Sequence, residues 1–134
     1  MAYTIKTNNK PTAQEGIGLY LDAGWGTSTD YVNFVDAFEK AYQNSFFITA
    51  FNQDKLVGMI RYLSDGFHDT QIVECLVLKN FQKQGIAKAM LNKLKELYPS
   101  SAIYIQTTEA FQDVFIKEGF KKHKLIGMSY FKRG

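Results

Sequence analysis

Cysteine, histidine, proline and tryptophan are scarce in this chain of 134 residues, which holds one, two, two and one of them respectively. The single cysteine, Cys75, has no partner for an internal disulfide and suits a reducing compartment. Two histidines do not make a metal cluster, so no metal centre is expected. No apolar run approaches the roughly 18 residues of a membrane-spanning helix, and no membrane partner is expected. Residues 1–6 lack the basic start, apolar stretch and cleavage site of a secretory leader, so the expected location is cytoplasmic. Repeats, linkers and low-complexity segments are also missing. What is present is a chain that is 46% hydrophobic and 15% aromatic, enough for one core, and a single domain over residues 1–134 is expected.

Charge is divided along the chain. The net value is +3, yet up to Leu78 five basic residues face nine acidic ones, while from Lys79 onward eleven basic residues face four acidic ones. Such a division fits a C-terminal half that holds a polyanion and an N-terminal half that receives a cation. It also fits a solvated surface with unevenly spread lysines. The lysines lie on several elements without a nucleic-acid motif, so nucleic acid is not the expected partner.

The apolar pattern gives an order of elements. A strand over 3–7 is followed by a turn cluster and by Thr12, an N-cap with Glu15 three residues on, which opens a helix to about Ala23. Gly24-Trp25-Gly26 ends it. Thr29 or Asp30 caps a second helix in which Tyr31, Phe34, Val35, Phe38 and Tyr42 recur at helical spacing. Residues 46–51 and 56–63 form an antiparallel hairpin around Asn52-Gln53-Asp54-Lys55, and 70–78 supply a further strand. A helix from about Gly85 to Tyr98 follows, stopped by Pro99. After a strand over 102–106 comes a helix over 109–118 closed by Gly119, and the tail over 120–132 reads as one or two closing strands. The strands ending at Leu78 and Gln106 flank a crossover helix and should run parallel. The fold class is α+β, with a mixed, mostly antiparallel sheet flanked by about four helices.

The most informative stretch is Gln82-Lys83-Gln84-Gly85-Ile86-Ala87, between the strand that ends at Leu78 and a helix. A glycine loop entering a helix leaves backbone N–H groups without intrahelical partners where the peptide dipoles concentrate positive charge, and an anion is the natural occupant. The loop has neither the lysine and hydroxyl pair of a Walker A sequence nor the three glycines of a dinucleotide fingerprint.

Residues 75–91, Cys-Leu-Val-Leu-Lys-Asn-Phe-Gln-Lys-Gln-Gly-Ile-Ala-Lys-Ala-Met-Leu, resemble the acetyl-CoA motif of the GNAT superfamily of N-acetyltransferases. Residues 114–120, Val-Phe-Ile-Lys-Glu-Gly-Phe, resemble the signature at the end of that family's fourth helix. Arg61-Tyr62-Leu63-Ser64-Asp65-Gly66, with Leu19-Tyr20 and Gly24-Trp25, is similar to a branch that includes plant plastid arylalkylamine acetyltransferases. The resemblance implies an acyl-CoA N-acyltransferase fold with a splayed parallel strand pair. It implies acetyl-CoA as cosubstrate and a primary amine as acceptor, in a family where homodimers are common. Backbone groups at Leu76 and Val77 then match the pantetheine-binding strand. Lys83 and the amides of Gln84, Gly85, Ile86, Ala87 and Lys88 match the pyrophosphate cradle.

For the chemistry, an amine must lose a proton and a thiolate must gain one. The family's usual acid is a tyrosine on the fourth helix, four residues before the glycine, and Phe115 stands there. Water, Tyr104 or Tyr130 would take its place. An acyl-CoA sensor that has lost its chemistry is therefore the alternative reading. Glu74 is the candidate base, with a solvent-facing or ion-paired strand glutamate as the plainer reading. His68 has a suitable ordinary pKa but sits in a loop. Trp25 and Tyr31, with Phe34, are candidates for the acceptor pocket between the first two helices, or core aromatics on amphipathic helices.

Overall fold

The computed structural model describes residues 2–32 and 34–130. Five strands, β1 (Thr4–Lys6), β2 (Phe46–Asn52), β3 (Lys55–Ser64), β4 (Asp69–Val77) and β5 (Ala102–Ile105), form one sheet in sequence order. All neighbours are antiparallel except β4 and β5, which pair in parallel from Asp69↔Ala102 to Ile72↔Ile105. The parallel pair is joined by helix α4 (Ile86–Leu97), as the crossover reading requires. The remaining helices are α1 (Ala13–Asp22), α2 (Ser28–Tyr31), α3 (Val35–Gln43) and α5 (Gln112–Lys117).

Helix α1 starts where its sequence supplies acceptors for loose N–H groups, and α5 ends where it supplies a glycine. The Thr12 hydroxyl accepts from Glu15 N at 3.1 Å and the Glu15 carboxylate accepts from Thr12 N at 2.9 Å, so α1 opens on a complete capping box. Gly119 closes α5 with φ 96°, a left-handed conformation that glycine adopts without strain.

The sheet is covered on both faces. One core, centred on Ile48, Ile60 and Ile72, packs under Ile86, Met90, Leu91 and Leu94 of α4 and Phe115 of α5. The other, centred on Phe47, Met59 and Leu76, packs under Ile17, Leu19 and Tyr20 of α1 and Tyr42 of α3. Among the described residues no helix is long and apolar enough to cross a membrane.

Two expectations are corrected. The second helix is not continuous: α2 is a single turn entered from Thr27, whose backbone N–H and hydroxyl both donate to the Asp30 carboxylate, and α3 begins only after Phe34. Asp30 therefore serves the capping box from inside the turn, and the side chain of Thr29 lies outside the described residues. The tail forms no strand over residues 120–130, and residues 131 and 132 lie outside the described residues.

Candidate active site

At the end of β4 the parallel pairing stops while the strand continues. Beyond Ile72, residues 73–77 run on past the end of β5, so one edge of this stretch has no strand beside it. The opposite edge stays paired, with Cys75, Leu76 and Val77 facing Ile60, Met59 and Gly58 of β3. This open edge leads directly into the glycine loop. A turn of 3-10 helix over Lys79–Phe81 is held by Asp22 at the end of α1, whose carboxylate accepts from Lys79 N at 2.8 Å. The Gln82 side chain donates back to the Val77 carbonyl at 3.1 Å and folds the loop onto the strand.

The loop then curls through two left-handed residues, Lys83 with φ 64° and Gly85 with φ 85°. Gly85 is the N-cap of α4 and has no capping side chain, so the first amides of the helix point outward without protein acceptors. Residues 82–85 are exposed, as is Lys88, whereas Ile86 is buried and contributes only its backbone. A concave row of amides, a helix N-terminus and the two lysines make a fitting seat for a pyrophosphate.

The central carboxylate reaches its place through a bulge. Arg61 pairs with Glu74 and Tyr62 with Ile72, which leaves Val73 unmatched. In regular alternation Ile72 and Glu74 would share a face; the extra residue turns Glu74 to the face covered by α1 and α3. There Glu74 Oε1 accepts from the Tyr20 hydroxyl at 2.6 Å and from Arg61 Nε at 3.1 Å, and Oε2 accepts from Arg61 Nη2 at 2.8 Å. Arg61 Nη1 donates to Ser45 Oγ at 3.1 Å, and the guanidinium lies 5.7 Å from the ring centre of Tyr42. The hydroxyls of Tyr20 and Tyr42 meet at 2.5 Å. Since the Tyr20 proton goes to Glu74, Tyr42 donates to Tyr20 in a directed chain ending on the carboxylate.

Burial, then the charge of Glu74, pushes the Tyr20 hydroxyl far above its ordinary value, and burial pushes Tyr42 up to about 12. Both therefore stay protonated and act as donors. Arg61 is opposed by its own burial, but its hydrogen bonds and charge interaction with Glu74 outweigh that and hold it more firmly charged than usual. The Tyr20 ring carries the site outward. Trp25 stacks on it at 5.7 Å and 17°, and Tyr31 and Phe38 tilt against it at 5.9 and 5.7 Å. The Tyr31 hydroxyl donates to the Trp25 carbonyl, and Trp25, at 45% exposure, is the outer wall of this aromatic cluster.

The close approach of α1 and α3 depends on Gly16. A Cβ there would lie 2.7 Å from Tyr42 Cζ and closer still to its hydroxyl, whereas one at Gly18 would meet nothing within 4 Å. Gly16→Ala is expected to displace Tyr42 and cost about 1–3 kcal/mol. Gly18→Ala should stabilise by roughly 0.5–1 kcal/mol through helix propensity alone. Urea unfolding of the two variants measures the difference, and equal midpoints would refute the tight contact.

The structure brings together Glu74, Trp25 and Tyr31, with Leu76 and Val77 one step along the same strand. It does not bring the other candidates to Glu74. Phe115 is a core residue at 6% exposure, edge-on to Phe120. Tyr104 stacks on His123 of the tail, and Tyr130 is 86% exposed. His68 is exposed beside Asp69, at the other end of β4 from the cradle. Phe34 is exposed, and the Cys75 thiol is pushed up to about 12 by burial, which suits a packing role. Sequence reasoning named Tyr20 and Arg61 only as parts of a motif and Tyr42 only as an apolar helix position, gave none of them a role at the site, and passed over Asp22. Opposite charges on neighbouring strands were the available signal for Arg61, since a buried carboxylate needs a partner.

The family model described as the acetyltransferase (GNAT) family matches residues 12–117. Among solved structures, a GNAT family acetyltransferase from Streptococcus pneumoniae TIGR4 superposes with a TM-score of 0.81 at 24% identity, over 99% of this chain and 100% of that one. A probable acetyltransferase from meticillin-resistant Staphylococcus aureus gives 0.81 at 25% identity over 98% and 99% of the two chains. The PaiA N-acetyltransferase of Thermoplasma acidophilum, in complex with coenzyme A, gives 0.69 at 14% identity over 95% and 94%. No curated protein matches. An open-edged strand running into a glycine-capped helix is thus set in a sheet of the same architecture, and the chain belongs to the GNAT acetyltransferase family.

Proposed function

We propose that the protein transfers the acetyl group of acetyl-CoA directly to a primary amine. The observation that carries this reading is the continuity of the open β4 edge at residues 73–77 with the Gly85 cradle. Backbone groups at Leu76 and Val77 pair with the amide-bearing pantetheine arm, as residues 69–72 of the same strand pair with β5. The pyrophosphate rests on the amides of Gln84, Gly85, Ile86, Ala87 and Lys88, with Lys83 supplying charge. This places the thioester near the bulge, beside Glu74. The acceptor enters over Trp25 and Tyr31, its ammonium drawn to the aromatic faces and the carboxylate behind them.

The amine loses its proton to Glu74 through water, using the one lone pair of Oε2 that no side chain occupies. Its nitrogen bonds to the acetyl carbon, the carbon–sulfur bond breaks, and the second proton that this nitrogen then sheds passes through water to the departing CoA thiolate. Glu74→Gln keeps the shape of the side chain but removes the base. It is expected to lower kcat roughly 100-fold and to change the pH profile, with acetyl-CoA affinity nearly intact. Free-thiol release with amines, polyamines, aminoglycosides and peptides as acceptors measures this, and an unchanged pH profile would remove Glu74 as base. The buried Phe115, where a hydroxyl would serve as acid, favours a second reading as an acyl-CoA sensor. Tight acetyl-CoA binding without thiol release to any acceptor would select it.

A further inference from the structure

The carboxylate of Glu74 is held by more donors than its ion pair needs. Arg61 already spans both oxygens, with Nε on Oε1 at 3.1 Å and Nη2 on Oε2 at 2.8 Å, a fork that neutralises the charge of each partner. Tyr20 nevertheless adds a third bond, to Oε1 at 2.6 Å, from a hydroxyl carried on α1 rather than on the sheet. Behind it, at 2.5 Å, stands the Tyr42 hydroxyl from α3. The backbone of α1 is shaped for this pair: Gly16 lies four residues before Tyr20 on the same helix face, and the Tyr42 hydroxyl fills the space where its Cβ would be. Tyr20 and Tyr42 are 2% and 3% exposed, and Trp25, Tyr31 and Phe38 pack around the Tyr20 ring. Two buried hydroxyls cost free energy that phenylalanine rings would not, so the pair calls for a task beyond packing.

We propose that Tyr20, with Tyr42 behind it, is a positioning residue for the transfer: it closes Oε1 of Glu74 and leaves Oε2 as the one oxygen that takes the proton of the amine. The inference rests on the reading of Glu74 as the base. A carboxylate oxygen has two lone pairs. On Oε1 both are taken, by Arg61 Nε and by Tyr20, whereas on Oε2 only Arg61 Nη2 occupies one. Without the Tyr20 hydroxyl each oxygen would have one free site, and the water that carries the proton could settle on either. The hydroxyl therefore selects one oxygen and one position for that water. Tyr42 enforces the choice. Its proton points at the Tyr20 oxygen, which polarises the Tyr20 O–H toward the carboxylate and blocks the reversed chain in which Tyr20 would donate to Tyr42.

The groups around Glu74 make its own protonation readable. It faces Arg61 from β3, Tyr20 from α1, Tyr42 from α3 through Tyr20, and Tyr31 from α2, whose hydroxyl donates to the Trp25 carbonyl. Asp30 acts on Tyr31 but is itself bonded to Thr27. Burial is the largest cause that raises all three tyrosines, and the bonds to Glu74 keep Arg61 charged against its burial. These four groups therefore keep their protons through the neutral range, and the ascending limb of a kcat profile reports Glu74 rather than any of them.

The test is the pH profile of kcat in Tyr20→Phe, Tyr42→Phe and the double variant, with acetyl-CoA and the acceptor that gives the fastest thiol release. Tyr20→Phe keeps the ring on which Trp25 stacks and removes one donor from the ionised carboxylate, so Glu74 becomes easier to protonate. The ascending limb is expected to move up by about one pH unit, and kcat on the plateau to fall roughly 10-fold with the KM for acetyl-CoA unchanged. The carboxyl NMR resonance of Glu74, assigned by its loss in Glu74→Gln, should titrate with the same displacement. Tyr42→Phe leaves the bond to Glu74 in place and should move the limb the same way by less. Tyr20→Phe strands the buried Tyr42 hydroxyl and will melt lower; the double variant removes that hydroxyl too and should melt closer to wild type with the limb still displaced. A limb and a resonance that stay put in Tyr20→Phe and in the double variant, with only the melting changed, would overturn the proposal. Glu74→Gln separates that failure from failure of the base: a profile that changes there and not in Tyr20→Phe removes the positioning role alone, and one that changes in neither removes both.

Discussion

Gly85→Glu is expected to abolish measurable acetyl-CoA binding, with a loss of at least roughly 100-fold, while the protein stays folded. Two physical effects add. Gly85 sits at φ 85°, where a residue bearing a Cβ is strained by about 1–2 kcal/mol, so relief would rotate the very amides that form the cradle. A carboxylate there also occupies the positive end of α4, in direct competition with the pyrophosphate. Space is not the issue, because an added Cβ would meet only the Tyr3 hydroxyl, at 3.7 Å. Gly85→Ala therefore carries the strain without the charge and should lose about 10-fold at most. Calorimetry on both variants separates the contributions, with melting curves as the control for folding. Unchanged affinity in the glutamate variant would move the cosubstrate away from this loop.

How much of this was readable from the chain depends on how local each cause is. The capping box of α1, the hairpin between β2 and β3, the crossover at Gly85 and the stop at Gly119 all lie within a few residues, and each forms as its sequence indicates. The second helix misled because Tyr31, Val35, Phe38 and Tyr42 all face one core, so their spacing stays regular across the break at Phe34. The tail alternates as a strand does, yet alternation names no partner. Glu74 was visible as a carboxylate just before the stretch that leads into the glycine loop. Its face was not, because the bulge at Val73 arises from the pairing of β3 with β4 and leaves no mark in composition. Its partners come from α1 and β3, 54 and 13 residues away, beyond the reach of any local pattern.

The pairing of Glu74 with Arg61 makes a further outcome large and diagnostic. The two side chains are only 12% and 13% exposed, and the guanidinium supplies two of the three hydrogen bonds that the carboxylate receives. Arg61→Ala strands a buried carboxylate against a single tyrosine hydroxyl and leaves Ser45 Oγ without that donor. Such a loss costs about 3–5 kcal/mol, a large share of the 5–15 kcal/mol that holds an ordinary domain together. A fall in Tm of roughly 10–20 °C is expected in a scanning melt. Replacing both partners by apolar residues of similar volume, Arg61→Met with Glu74→Leu, removes the desolvation problem along with the bond and should recover most of that stability. Activity will not follow stability if Glu74 takes the proton, because the double variant folds without a base. A double variant that is both stable and fully active would reduce the carboxylate to the counter-ion of Arg61. A single variant that melts like wild type would show that water, rather than the guanidinium, balances Glu74.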